Sequence, residues 1–175
     1  MPISWLKAKY ADFKTEVLEE LATELEEDAS EDVIEALAAA TAMVAFADGV
    51  SSPEEREELL GVFEEEDRLT EIELDDLFDA FDDYAERFAE DPAAAENEVL
   101  TAVAVFDDAP ELGRLILRGA VAVASSDGTL SPAEEAAVKR LCDVLGLEPR
   151  DLAKPVQHHR RDDDVDEDEE DQDEA

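Results

Sequence analysis

Ala47–Glu55 reads "ADGVSSPEE" and Ser126–Glu135 reads "SDGTLSPAEE", so Asp-Gly-x-x-Ser-Pro-x-Glu is written at Asp48–Glu55 and again 79 positions later at Asp127–Glu134. In each copy a serine (Ser52, Ser131) suits a helix N-cap, a proline (Pro53, Pro132) the first helical position and a glutamate (Glu55, Glu134) the third. That is a capping box with proline where its missing N–H is no loss. Gly49 and Gly128 suit the left-handed position that ends a preceding helix, where a Cβ is penalised. Each copy therefore predicts helix, tight turn, helix, and the duplication predicts an internal pseudo-two-fold repeat.

Working outward, Ile3, Leu6, Tyr10, Phe13, Val17, Leu21 and Leu25 recur at steps of three and four, which places them on one stripe of an amphipathic helix ending near Asp28. Ser30 is placed to cap a second helix, whose apolar positions and small residues Ala38, Ala39, Ala40 and Ala42 allow burial on several sides. A third helix follows Ser52, and Thr70 with Glu73 forms a capping box for a fourth carrying Leu77, Phe81, Tyr84 and Phe88. Asp91-Pro92 starts a fifth through Val99, Val103 and Val105, ended by Asp107 and Asp108. A sixth runs from about Ala109 to the second Asp-Gly, a seventh from Ser131 to Leu145 with Gly146 as its stop, and a short turn closes at Pro149–Lys154. Sustained alternation of β-branched residues is absent, so the chain is expected to be all-α, a compact bundle of about seven helices. Residues 1–30 are expected as an amphipathic helix packed on the domain, 31–154 as the helical domain, and 155–175 as a disordered acidic tail.

Charge sets the solvent problem. The 175 residues carry 52 acidic and 14 basic side chains, a net charge of −38, beside an ordinary 45% of hydrophobic residues. The run from Asp162 to Ala175 holds 11 of the acids, which leaves 41 acidic against 14 basic residues in the preceding 161, a net −27. Acid spread over every helix, with few lysines, fits a halophile-type protein whose self-repulsion is quenched at a Debye length of about 3 Å in molar salt. A DNA-mimicking surface and a cation buffer are its functional rivals. Direct nucleic-acid binding is excluded, because phosphate neutralisation needs clustered basic residues and Arg160-Arg161 is the one dense pair. The N-terminal stretch lacks the apolar run of a signal peptide and no segment has the length of a membrane span, so a cytoplasmic protein that does not itself cross a membrane is expected.

Catalysis is not expected. Cys142, the sole cysteine, shares a helical stripe with Val138, Leu141 and Leu145 and reads as a small core residue. His158 and His159 stand in a polar linker and read as exposed rather than as zinc ligands.

In the repeated motif the aspartates are left without a structural duty. At a helix C-terminus a carboxylate opposes the macrodipole, so Asp48 and Asp127 either accept a backbone N–H two residues on, at Val50 and Thr129, or face a cation. One aspartate and seven steps to the glutamate do not supply the 12-residue loop of an EF-hand. If the two loops share one end of the bundle, Asp48, Glu55, Asp127 and Glu134 would offer oxygen ligands to a divalent cation such as calcium or magnesium.

At these residues the chain resembles the TerB family of tellurite-resistance proteins. The resemblance rests on "AFADGVSSPEEREELLGVF" from Ala45 and "RGAVAVASSDGTLSPAEEAAVKRLCDVLGLEPRDL" from Arg118, and spans residues 34–152. It implies a non-catalytic helical binding or scaffold module of a tellurite and general stress response, associating with protein partners that include a membrane-embedded tellurite-resistance protein at the inner face. It also implies a divalent-metal site on an acidic surface, at the positions Asp48, Glu55, Asp127 and Glu134. The acidic tail departs from the family pattern. A TerB-like domain also occurs in a membrane-anchored J-domain co-chaperone; the His-Pro-Asp motif of that protein does not occur here. The alternative reading is an acidic protein-interaction module, of co-chaperone or DNA-mimic kind, unrelated to metal.

Overall fold

Local signals place the helix starts. The computed structural model describes residues 4–27, 30–49, 52–125 and 129–156, and among them runs α1 (Ser4–Glu27), α2 (Glu31–Ala45), α3 (Pro53–Glu64), α4 (Glu71–Glu90), α5 (Pro92–Ala104), α6 (Pro110–Ala124) and α7 (Pro132–Val144), followed by a 3-10 turn at Pro149–Ala153. Ser52, Thr70 and Ser131 each close a complete capping box: the hydroxyl accepts from the N–H of Glu55, Glu73 or Glu134, whose carboxylate accepts from the capping residue's own N–H. Asp91 caps α5 by accepting from the Ala94 N–H at 3.2 Å. Ser30 departs from expectation: it holds the N-cap backbone position of α2, yet its hydroxyl makes no capping bond. The end of α7 is a Schellman turn, with Gly146 at φ 68°, its N–H on the Asp143 carbonyl and the Leu147 N–H on the Cys142 carbonyl.

The core is built around α2 and α6. Every residue of α2 from Val33 to Val44 except Glu35 is buried, as a helix apolar on all sides must be. α6 is buried from Gly113 to Val123 and packs along α2. At Gly119 the leucine tips of both neighbours fill the space a side chain would take: a Cβ there would come within 2.7 Å of Leu37 Cδ1 on α2 and 3.1 Å of Leu21 Cδ1 on α1. α4 and α5 cover α2, while α1 and the 3-10 turn cover α6. The short helix that follows each central helix packs against the other one, α3 on α6 and α7 on α2. That exchange is the pseudo-two-fold relation of the bundle.

α1 belongs to the same core. Leu6, Phe13, Val17, Leu18, Leu21, Ala22 and Leu25 are all buried. Each large apolar side chain contributes about 1.5–3 kcal/mol when removed from water. Leu18 and Ala22 widen the stripe beyond the positions read from the sequence, and Ile3 lies outside the described residues. Val105 corrects another expectation. α5 stops at Ala104, and Val105 is 58% exposed instead of joining the core.

Candidate functional site

The first Asp-Gly loop begins where α2 runs out. Two hydrogen bonds, from the Ala47 N–H to the Val44 carbonyl and from the Gly49 N–H to the Phe46 carbonyl, tighten the chain into a turn, and Gly49 sits at φ 131°, a region L side chains avoid. Phe46 remains buried against Phe81 and Phe88, which anchors the turn to α4. Asp48 is exposed at its tip. Val50, the residue that would serve Asp48 in an Asx-turn, lies outside the described residues.

Glu55 and Glu134 each commit one carboxylate oxygen to a capping box, Oε2 accepting from the Ser52 N–H at 3.0 Å and from the Ser131 N–H at 3.1 Å. Their surroundings differ. Glu55 is exposed, whereas Glu134 is half-buried, and burial raises its carboxyl above the ordinary carboxylate range. The Ser131 N–H opposes that rise and the negative charge of Asp48 adds to it. Asp48 from the first loop and Glu134 from the second copy are therefore electrostatic neighbours, in keeping with the packing of α7 on α2. Asp127, the fourth residue of the sequence-derived set, lies outside the described residues, as do Gly128, His158 and His159.

The donor chemistry suits a hard divalent cation: oxygens only, and a like-charge pair that a cation would relieve. The described residues do not form a closed cage, for no group of three or more His, Cys, Asp or Glu side chains among them has metal-site geometry.

Two arginines on α6 were not singled out from the sequence. Arg118 is fully buried and makes a two-pronged bond to Glu20 on α1, Nε to Oε2 at 3.1 Å and Nη2 to Oε1 at 2.9 Å, while Nη1 donates to the Leu152 carbonyl at 2.7 Å. Its guanidinium lies 5.0 Å from the centre of the Phe13 ring. One turn earlier, Arg114 binds Glu111 and donates to the carbonyls of Lys154 and Pro155. Glu20 also accepts from the Val156 N–H at 3.2 Å. The result is a clasp that ties α1, α6 and the segment leading to residue 156 together. Burial lifts the Glu20 carboxyl, and Arg118 opposes it. The available signal was a pair of guanidinium groups four residues apart within the mostly apolar stretch from Leu112 to Ala124.

Cys142 is fully buried, and burial, with smaller contributions from Asp143 and Asp151, pushes its thiol up to about 12. The thiolate needed for nucleophilic work is suppressed. No helix among the described residues is long and apolar enough to cross a membrane.

A family model described as tellurite resistance protein TerB matches residues 34–155. Neither a curated protein nor a solved structure matches the chain.

Proposed function

The chain belongs to the TerB family, and from that premise we propose that it is a non-catalytic binding and scaffold module of a tellurite and general stress response. In this reading it works in the cytoplasm, docking protein partners that include a membrane-embedded tellurite-resistance protein. Divalent cation, calcium or magnesium, is sensed where the two Asp-Gly-x-x-Ser-Pro-x-Glu loops converge. Asp48, Glu55, Asp127 and Glu134 are the assigned ligands, each bringing a carboxylate.

The cation reading is supported by the duplicated oxygen-bearing motif, whose first copy follows α2 and whose second copy opens α7, the helix packed on α2; the Asp48 charge is the smallest of the influences on the Glu134 carboxyl. Two carboxylates held within electrostatic reach repel each other, and a bound cation converts that cost into attraction. Support for a non-catalytic role comes from the high pKa of the Cys142 thiol, which removes the one cysteine as a nucleophile.

Calcium titration by calorimetry in molar salt tests the cation. Wild type is expected to give a saturable heat and the Asp48→Ala, Asp127→Ala double variant none; identical heats from both would remove the cation from the reading. For the scaffold role, affinity capture from the native cytoplasm and membrane should retain defined partners, and deletion should lower survival under tellurite. A chain that elutes alone from both fractions, with survival unchanged, would refute it.

A further inference from the structure

A groove crosses the face where α2, α4 and α5 meet, away from the paired loops. Its larger basin, about 410 Å³, lies between α2 and α5 and is bordered by Asp32, Glu35 and Glu98, with Val105 at one end. The smaller basin, about 280 Å³, lies between α2 and α4 and is bordered by Glu31, Asp76 and Asp83, with Ile34 and Ala80 as apolar lining. Glu35, Tyr84 and Arg87 line both, so the two basins adjoin at Tyr84. From Asp76 to Arg87 the α4 wall runs three helical turns, about 16 Å at 1.5 Å per residue, a length suited to a segment of polypeptide rather than a compact small molecule.

Three observations distinguish this groove from acidic surface in general. Val105 is the large apolar side chain that stands exposed among the described residues, and it lies in this groove. Six carboxylates border the two basins against the single guanidinium of Arg87. Finally, Arg87 already displays the recognition chemistry from within the chain: its guanidinium lies 4.7 Å from the centre of the Tyr84 ring and its Nη1 donates to Glu98 at 2.8 Å. The Tyr84 hydroxyl donates to Glu35 at 3.1 Å. Burial first, then the Glu35 charge, push the phenol up to about 12, so it stays a hydrogen-bond donor.

We propose that this groove docks a basic amphipathic helix of a partner protein, its lysines or arginines facing the carboxylates and an apolar side chain covering Val105. Close charge pairs, which molar salt leaves in part intact, supply orientation, and the apolar end together with the Tyr84 face supplies the desolvated contact that generic acidic surface lacks. The inference rests on the scaffold reading above and names its docking surface.

The test uses the full chain and a fluorescein-labelled synthetic helix of about 15 residues, with lysines on one face and leucines on the other, followed by anisotropy at physiological ionic strength. Two charge-reversal pairs are compared: Asp32→Lys with Asp83→Lys in the groove, and Glu57→Lys with Glu58→Lys on α3. All four positions are exposed, so the folded state is retained, and far-ultraviolet dichroism checks it. The groove pair and, separately, Val105→Ser are each expected to weaken the peptide about tenfold, with the α3 pair leaving it unchanged. Equal loss from both pairs, or no binding by wild type, would overturn the proposal. A negative peptide result beside retained partners in affinity capture and tellurite sensitivity on deletion defeats the groove alone; loss of both capture and phenotype defeats the scaffold reading itself.

Discussion

Glu134 holds the start of α7 through the Ser131 N–H and at the same time feels Asp48 at the end of α2. Replacing Asp48 by Asn removes one of the influences that raise the Glu134 carboxyl, so its titration midpoint, followed by carboxyl carbon chemical shift, should move down. An unchanged midpoint would mean that the two loops do not face each other. For stability the sign follows from the direction of the shift. Glu134 has a raised folded-state value, so its ionised form disfavours the fold, and that cost is relieved as pH falls through the raised value toward the ordinary one. Glu26 is the opposite case: its bond from Arg68 lowers it, and the stability it contributes above the ordinary carboxylate value is lost as pH falls through the lowered one. At low salt the thermal midpoint should therefore rise on acidification from neutrality to about pH 5 and fall again below about pH 4. A midpoint that declines monotonically from neutrality would contradict these assignments.

Among the elements, the helix starts were legible because a capping box is a local device: Ser52 with Glu55, Thr70 with Glu73 and Ser131 with Glu134 act within one turn, and the structure closes all three. Ser131→Ala should lower the unfolding free energy by about 1 kcal/mol, measured by urea denaturation. The helical stripes were legible for the same reason, since periodicity needs only neighbours. Val105 shows where this fails, because three further residues of turn, not its own β-branched side chain, decide which way it faces. The clasp was illegible for a different reason: Glu20 and Arg118 are 98 positions apart, and only the packing of α1 on α6 gives the arginine its partner. Removing one side of a buried, hydrogen-bonded pair strands the other charge. Arg118→Met should accordingly cost about 3–5 kcal/mol, and adding Glu20→Leu should recover much of it. A single variant as stable as wild type would show that the pair is dispensable. The repeated motif was half-legible: the motif and its oxygen donors stand in the sequence, whereas the packing of α7 on α2, which sets how near Glu134 lies to Asp48, is a tertiary property no local pattern records.

At the scale of the whole molecule, the chain carries a net charge of −38, and among the described residues several of its scarce basic side chains join separate elements. Lys14 meets Glu65 at 3.1 Å, Arg68 meets Glu26 at 2.7 Å, Arg87 meets Glu98 at 2.8 Å and Arg140 meets Glu96 at 2.7 Å, each joining different helices or their connections. Exposed pairs of this kind contribute little individually, because solvent screens them. Molar salt, with a Debye length of about 3 Å, suppresses repulsion between carboxylates farther apart than these contacts while leaving part of each close pair intact. Unfolding temperature should consequently rise from low salt to molar potassium chloride; a fall would show that the bridges outweigh the repulsion and would remove the reading of the acidity as adaptation to salt. The duplicated motif has a sharper test, because its meaning lies in the convergence of two halves of the chain. Manganese, added at substoichiometric amounts in molar salt, broadens amide resonances near its binding site. The account predicts selective loss around Asp48 and Glu134 together, abolished in the Asp48→Ala, Asp127→Ala variant; broadening spread evenly over the acidic helices, or confined to one loop, would contradict it.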